Sequence, residues 1–423
     1  MAVLSWFSFG GVSPAATDYS YKAEASIKET YDSNVYLQDS SPTNHVPGAV
    51  SAKKDSLVTT ASPRLTFEYA PSAALKATLS YTPDYTWYHN TPSENNMTHR
   101  WGLNAAGALD TAAWDVQNAF TYIDGSKTGP TFGRPGDCPA LGGIPLRDRR
   151  AAFIYRGGFK FTETLGRWMI RPVASAYDHD FLTHLRPSPA GAVYENYIDR
   201  RELSGGLDVG YDPGHDTRLL AGYRYGRQDQ YQSVTTTGAR TNSPYSNAYH
   251  RILAGAEGAP ASWLKFSVLA GPDFRQFDHD VPGFYADRLL WYVDASVTLL
   301  PIASDTIVLS TKRFEQPAFS SFSMYQDITY EAAWKHKFNN HWSGNAGFKL
   351  YIGDWQLPVN RDDWIYTPTA GLTYTYDKHF SADFSFLYDA ARNEVSTGAA
   401  GATYANGRDY TRVLVSLGAR YTF

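Results

Sequence analysis

Two short segments carry the residue types that acid–base or metal chemistry needs. Residues 178–180 and 278–280 both read Asp-His-Asp. A carboxylate can orient an imidazole as a general base, and two such segments together could bind a metal. No nucleophile motif accompanies either segment, and the sequence does not fix the distance between them. We therefore expect ordinary polar residues here, at the outer ends of strands. We also expect a protein that is not an enzyme, without catalytic residues, metal or cofactor. A hydrolase located at the rim is an alternative.

Three further groups could in principle do chemistry. Asp32 and Asn34 offer oxygen atoms of the kind that calcium binds. We expect them to act as turn or cap groups. Cys138 is the only cysteine of the chain, so an intrachain disulfide is excluded, and we expect an incidental thiol.

Most charged residues lie instead within segments in which apolar and polar residues alternate. In segment 75–87, Leu75, Leu79 and Trp87 share one face, and Lys76 and Asp84 lie on the other. Residues 411–423 (TRVLVSLGARYTF) alternate strictly and stop on an aromatic residue. Successive side chains of a strand point to opposite sides. One apolar face and one polar face are typical of strands in a transmembrane β-barrel.

The chain contains about eighteen such segments, and short and long connections alternate between them. The pattern predicts an all-β fold, a transmembrane antiparallel up-and-down β-barrel with its short turns at the periplasmic rim. Sixteen strands are an alternative, because segments 246–257 and 304–316 alternate poorly. The predicted strands lie near 20–37, 55–69, 75–87, 97–109, 112–124, 149–161, 167–181, 196–211, 216–229, 246–257, 262–278, 285–299, 304–316, 321–337, 341–355, 362–376, 380–392 and 407–423.

Composition supports a single domain in the bacterial outer membrane. The net charge is −4 and the basic residues are scattered, so we expect no nucleic acid partner. Mean hydropathy is negative, −0.40, because a polar lumen face offsets an apolar lipid face. We expect residues 17–423 to form one barrel domain. Residues 1–16 are apolar and then small, which indicates a signal-peptide remnant or an apolar N-terminal segment.

Aromatic residues cluster at the ends of the predicted strands. Trp and Tyr favour the headgroup level of a membrane, so clustering predicts two girdles. The girdle candidates are Tyr85, Trp87, Trp101, Trp114, Trp168, Tyr211, Trp263, Trp334, Trp342, Trp364 and Tyr376. Tyr421 and Phe423, at the chain end, resemble the signal by which bacterial outer-membrane barrels are presented for insertion.

A barrel of about eighteen strands is wide enough for an aqueous channel. The predicted pore-lining residues are Arg64, Lys76, Arg100, Asp115, Arg156, Lys160, Arg171, Asp208, Arg224, Asp273, Arg275, Asp294, Glu331, Lys349, Arg412 and Arg420. This lining predicts at most a mild anion preference, and the alternative is that its charges pair across strands. The loop 125–148 could fold inward as a constriction. Its candidate selectivity residues are Asp124, Lys127, Arg134, Asp137 and Arg147.

Residues 27–69 contain IKETYDSNVYL and then DSLVTTASPRLTFEY. This pair of strands resembles the opening hairpin of the β-barrel porin 2 group of outer-membrane proteins. The resemblance implies an outer-membrane barrel, monomeric or homo-oligomeric, that contacts outer-membrane lipid. Some related barrels are suspected of serving exopolysaccharide export, and others are called porins by analogy only. We expect a channel for passive diffusion of small hydrophilic solutes. The alternative is a polysaccharide-export conduit with a periplasmic export partner.

Overall fold

The fold is seen in a computed structural model. It describes residues 18–35, 37, 54–72, 74–124, 151–182, 184–188, 191–195, 199–233, 239–280, 289–317, 324–356, 361–395 and 410–423. The predicted N-terminal segment 1–16 lies outside these residues. No helix in the described ranges is long and apolar enough to span a membrane.

The segments in which apolar and polar residues alternate form long antiparallel strands. In chain order the strands are β1 (Tyr19–Asp32), β2 (Ser56–Ser72), β3 (Leu75–Tyr88), β4 (Asn96–Leu109), β5 (Ala112–Asp124), β6 (Ala152–Leu165), β7 (Trp168–Phe181), β8 (His184–Ser188), β9 (Gly191–Glu195), β10 (Asp199–Gly214), β11 (Thr217–Ser233), β12 (Arg240–Asn242), β13 (Asn247–Ala261), β14 (Leu264–Phe277), β15 (Leu289–Leu299), β16 (Asp305–Pro317), β17 (Met324–Lys337), β18 (Trp342–Trp355), β19 (Arg361–Thr375), β20 (Phe380–Val395) and β21 (Tyr410–Thr422).

Eighteen of these strands close into one barrel, as the sequence predicted. Each barrel strand pairs with its neighbours along the chain, and β1 pairs with β21 to close the wall. The two segments that alternate poorly form β13 and β16, so the count is eighteen and not sixteen. Three short strands lie in connections that we predicted as loops. Strands β8 and β9 form a separate hairpin, and β12 extends the end of β11.

Connections of two kinds alternate around the barrel. Two-residue turns such as 166–167 and 215–216 join strands at one rim, and Gly166, His215 and Asp216 have positive φ there. In the turn 376–379, the amides of Phe380 and His379 donate to Asp377, which holds the pKa of that carboxyl below its usual value. Strand β1 begins and β21 ends at this rim. The long connections lie at the other end.

The exterior of the barrel is apolar around its circumference. Large apolar side chains remain exposed on successive strands, among them Leu79, Leu103, Phe159, Leu203, Leu219, Ile252, Leu309, Phe348, Phe384 and Leu417. A continuous apolar surface of this extent is stable in hydrocarbon and not in water. Together with the closed wall, it makes this protein a transmembrane barrel of the bacterial outer membrane.

The predicted girdle residues lie on this outer surface, toward the strand ends. Trp168 packs against Tyr211 with ring centroids 5.0 Å apart, and Trp342 packs against Tyr374 at 4.8 Å. Both pairs are at the short-turn rim. Toward the long-loop end, Tyr81, His99 and Trp101 stack on neighbouring strands. Tyr421 and Phe423 are also exposed at the short-turn rim. Their role as an insertion signal stays a prediction.

Glycine is required on the lumen face where a large side chain lies flat against the wall. A Cβ on Gly226 would stand 2.2 Å from the ring of Tyr249, on the neighbouring strand. Gly158 also faces the lumen, but a Cβ there would meet no atom within 4 Å.

We predict that Gly226→Val destabilises the barrel by about 1–3 kcal/mol, because Tyr249 must leave its position. The measurement is the urea midpoint of the purified barrel, followed by tryptophan fluorescence. Gly158→Val is the control and should unfold close to the parent midpoint. Equal midpoints for the two variants would contradict the packing described.

Candidate functional site

The strand register places all sixteen predicted pore-lining residues on the face opposite the apolar exterior. Arg64 opposes Glu24 across β1 and β2, Asp115 opposes Lys160 across β5 and β6, and Lys349 opposes Glu331 across β17 and β18. Because successive side chains of a strand point to opposite sides, the polar residues of each strand share the inner face. That these residues line a conducting pore stays a prediction.

On several strand pairs of the lumen face, charges pair across neighbouring strands and remain hydrated. Lys76 Nζ lies 3.7 Å from Glu68, Lys312 Nζ 3.7 Å from Asp294, and Lys349 Nζ 3.6 Å from Glu331. The side chains of Lys312 and Asp294 are each 51% exposed. Open ion pairs of this kind contribute little to stability. They also balance each other, so this part of the wall carries no strong field of one sign.

One sector of the wall, from β7 to β14, holds charges that are buried. Arg171 Nη1 donates to both carboxylate oxygens of Glu257 at 2.9 Å, and Arg171 Nε donates to Asp208 at 3.0 Å. Arg224 Nη1 lies 2.7 Å from the other oxygen of Asp208. This group links β7, β10, β11 and β13 along the inner surface. Buried ions are tolerated because each has an opposite charge and hydrogen bonds.

A second buried group lies nearer the long-loop end of the same sector. Arg251 Nε donates to Asp273 at 2.7 Å, and Arg275 Nη2 donates to the same carboxylate at 3.2 Å. Arg275 also donates to Gln228 at 2.6 Å and to Asn247 at 3.0 Å. The lumen network is defined here as both buried groups, namely Arg171, Asp208, Arg224, Gln228, Asn247, Arg251, Glu257, Asp273 and Arg275.

The last residues of strand β16, toward the long-loop end, separate from β15 and lie over the lumen network. Its pairing with β15 ends at Arg313, whereas its pairing with β17 continues to Pro317. Arg275 Nη2 donates to the carbonyl of Glu315 at 2.7 Å. Because Arg275 points into the lumen from β14, the backbone at Glu315 must lie inside the barrel.

The inward end of β16 reaches β10, five strands away along the wall. Arg200 of β10 donates to the carbonyl of Pro317 at 2.8 Å and to Gln316 Oε1 at 3.2 Å. In a regular barrel, walls five strands apart stand roughly 25–30 Å from each other. One side of the lumen is therefore spanned at this level.

Aromatic residues surround this crossing. Arg200 Nη2 donates to the hydroxyl of Tyr177 at 3.2 Å, and Gln316 Nε2 donates to that of Tyr325 at 2.7 Å. Tyr325 stacks on Trp355 with ring centroids 4.2 Å apart. The cross-lumen bridge is defined here as Arg200, Gln316 and Pro317. It places atoms of β16 within the lumen toward the long-loop end.

The two Asp-His-Asp segments do not form a catalytic pair in the described structure. Neighbouring residues of a strand face opposite sides, so Asp178 faces outward and His179 faces the lumen. His179 is buried, and its ring stacks on Phe181 at 4.2 Å. Asp278 instead accepts from Arg227 at 2.6 Å. Among the described residues, no three potential metal ligands converge. That the protein is not an enzyme stays a prediction.

Asp32 acts within the turn after β1. It accepts the amide of Asn34 at 3.0 Å, and Arg412 donates to both of its oxygens at 3.0 and 2.7 Å. Of the candidate constriction residues, Asp124 is exposed at the end of β5. The candidates Lys127, Arg134, Asp137 and Arg147, together with Cys138, lie outside the described residues.

Sequence reasoning missed both the partners that neutralise the lining and the cross-lumen bridge. Glu24 and Glu257 each lie at a strand position that the alternation assigns to the lumen face, so both could have been predicted there. Arg200 and Gln316 could not be paired, since they lie 116 residues apart on strands that are not neighbours. The poor alternation of segment 304–316 was the one available signal that β16 is unusual.

No family model matches the chain, and no curated protein matches it. Solved outer-membrane proteins are similar in fold. OccAB3 of Acinetobacter baumannii is 10% identical with a TM-score of 0.43 over 95% of this chain and 99% of that one. The ferric-catecholate import receptor Fiu of Escherichia coli is 9% identical with a TM-score of 0.47 over 95% and 81%. A bacterial polysaccharide outer membrane secretin is 9% identical with a TM-score of 0.33 over 94% and 98%. Likeness this distant carries no functional argument.

We predict that Arg171→Met costs about 3–5 kcal/mol of unfolding free energy, because it leaves the buried carboxylate of Glu257 without this cation. The matched change Lys76→Met, in a hydrated pair, should cost at most about 1 kcal/mol. Urea unfolding of the reconstituted barrel measures both. Adding Glu257→Gln to Arg171→Met should recover part of the loss. Similar costs for the two single variants would show that burial does not distinguish the pairs.

Proposed function

We propose that the protein is a channel through which small hydrophilic solutes diffuse passively across the outer membrane. The observation that carries the proposal is the hydrated, charged inner face of a closed barrel whose outer face is apolar. Eighteen strands leave more interior space than side chains fill, since about eight strands suffice for a filled barrel. The family proposal is the β-barrel porin 2 group, on the sequence resemblance of residues 27–69.

We expect weak ionic selectivity because the charges that line the lumen are paired with opposite charges. Strong selectivity needs a ring of charges of one sign. Here Lys76, Lys312 and Lys349 each have a carboxylate nearby on the adjacent strand. We expect uncharged and singly charged solutes to pass, with at most a mild preference for anions.

The cross-lumen bridge is the proposed restriction on solute size. It joins β10 to the end of β16 through Arg200, and it lies at the long-loop end of the lumen. A solute that enters from the long-loop side must pass beside it.

Planar-bilayer recording of the purified barrel tests the channel. We expect a stable open conductance for the parent protein. Arg200→Ala removes the donor that holds Gln316 and Pro317, so its conductance should rise by about two-fold or more. Arg64→Ala, a change on the lumen face of β2 away from the cross-lumen bridge, is the control and should conduct like the parent.

A parent barrel that stays closed until periplasmic components are added would overturn the channel and favour the polysaccharide-export conduit. An unchanged conductance in Arg200→Ala would leave the channel in place but remove the bridge as its restriction. Circular dichroism of each variant verifies that the barrel has folded.

A further inference from the structure

A groove runs along the lipid side of the wall, from β5 across β6, β7 and β10 to β11. Its volume is about 510 Å³, which lies within the range of pockets that hold small molecules. Every residue that lines it belongs to a described strand. Arg171 of β7 and Asp208 of β10 face the lumen, so Ala174 and Gly205 of the same strands face outward. The groove is therefore a feature of the outer surface and not of the channel.

Small residues form the floor of this groove. Ala174 and Ala176 lie on β7. Gly157 of β6 opposes Ala176, and Gly205 of β10 opposes Ala174. A Cβ on Gly205 would have as its nearest neighbour the carbonyl of Val173, at 3.9 Å, so the space above this glycine is open. The lipid groove is defined here as Gly157, Ala174, Ala176 and Gly205.

Larger side chains stand on both sides of the lipid groove. Phe159 of β6 is 42% exposed on one side, and Leu203 and Tyr225 are 47% and 48% exposed on the other. Exposure of this extent means that the groove opens to the surroundings of the barrel. Tyr155 fixes the edge toward β5, because its hydroxyl donates to Asn118 at 2.7 Å. The shape of the groove is thus present before any ligand arrives.

The lipid groove lies in the outer half of the hydrocarbon layer. Trp168 packs against Tyr211 at the short-turn rim and marks the inner interface. Along β7, Ala174 follows Trp168 by six residues and Asp178 follows it by ten. A tilted transmembrane strand crosses the hydrocarbon in about 9–11 residues, so Asp178 lies near the outer headgroup level. Hydrocarbon chains of the outer leaflet are therefore what meets the groove just below it.

A basic side chain borders the groove at the headgroup level. Arg201 opposes Asp178 in the β7–β10 ladder, and both residues face outward. Arg201 is exposed and forms no ion pair with the described residues. Arg227, in contrast, donates to Asp229 at 2.8 Å and to Asp278 at 2.6 Å. The guanidinium of Arg201 can therefore bind the phosphate of a lipid head, a pairing that arginine favours.

Carboxylates beside Arg201 add a second requirement. Asp178 and Asp180 both face outward on β7, and Asp180 is exposed. They would repel a head that is only anionic, but they accept hydrogen bonds from hydroxyl and amide groups. A phosphorylated sugar offers both a phosphate and such donors. The head must supply the discrimination, because one lipid tail is as apolar as another.

We propose that the lipid groove binds one glycolipid of the outer leaflet whose sugar head carries phosphate. One acyl chain lies over Ala176, Ala174 and Gly205, and the head contacts Arg201 and the carboxylates of β7. This site is on the outer wall, so it goes beyond the diffusion of hydrophilic solutes proposed above and does not depend on it.

Titration of the purified full-length barrel with lipid A in detergent, followed by native mass spectrometry, tests the site. We expect one lipid A to bind several-fold more tightly than any further one. Gly205→Leu fills the groove from a position where a Cβ meets no close atom, so it should fold and lose the tight first binding. Gly158→Leu is the matched control, because a Cβ there is equally free but faces the lumen. It should bind lipid A like the parent.

The head is tested separately from the chain. Arg201→Gln should weaken the first binding of lipid A several-fold, and lipid A without phosphate should bind equally to this variant and to the parent. Arg392→Gln is the control, because Arg392 is an exposed arginine on the outward face of β20, far from the groove. It should leave lipid A binding unchanged.

A first lipid A that binds no more tightly than later ones, or tight binding that persists in Gly205→Leu, would overturn the site. Phosphatidylethanolamine and phosphatidylglycerol are titrated alongside, and binding as tight as that of lipid A would overturn the glycolipid. Ala174→Leu fills the same groove from β7 and decides the matter if circular dichroism shows that Gly205→Leu does not fold. Bilayer conductance should be the same in Gly205→Leu and the parent. A parent without conductance would remove the channel and leave the lipid site to its own titration.

Discussion

Backbone hydrogen bonding between neighbouring strands is the constraint on which the rest of this structure depends. Hydrocarbon offers no partner for an amide or a carbonyl, so a strand protein that spans a membrane must close its wall. Here closure is made by β1 and β21, which pair along nine residues from Glu24–Thr422 to Asp32–Leu414. Once the wall is closed, each strand has one face toward lipid and one toward the lumen. The alternation of the sequence follows from that requirement.

Inside the wall, burial divides the charges into two classes with different consequences. Hydrated pairs such as Lys312–Asp294 keep the lumen polar at little energetic cost. Buried pairs such as Arg171–Glu257 are expensive to separate and fix neighbouring strands relative to one another. The buried charges of the sector from β7 to β14 give the inward end of β16 hydrogen-bond donors. Arg275 and Arg200 then hold that end through its carbonyl groups.

The departure of β16 from the wall has two effects that share one cause. It narrows the lumen, because Gln316 and Pro317 reach Arg200 on β10, five strands away. It also ends the ladder with β15, because a strand cannot pair with its neighbour and lie over the lumen at the same height. The proposed size restriction is therefore a consequence of this bend.

The sequence by itself determined the fold class, the order of the strands, their inner and outer faces and the alternation of short turns with long connections, and it left eighteen or sixteen strands open. Those properties depend on local alternation and on turn residues, which a single chain displays directly. Only the tertiary structure decided which lumen charges are buried, that Arg171 reaches Glu257 three strands away, and that β16 crosses to Arg200. Contacts across a lumen join residues that are distant in sequence and in strand order, so no local periodicity records them.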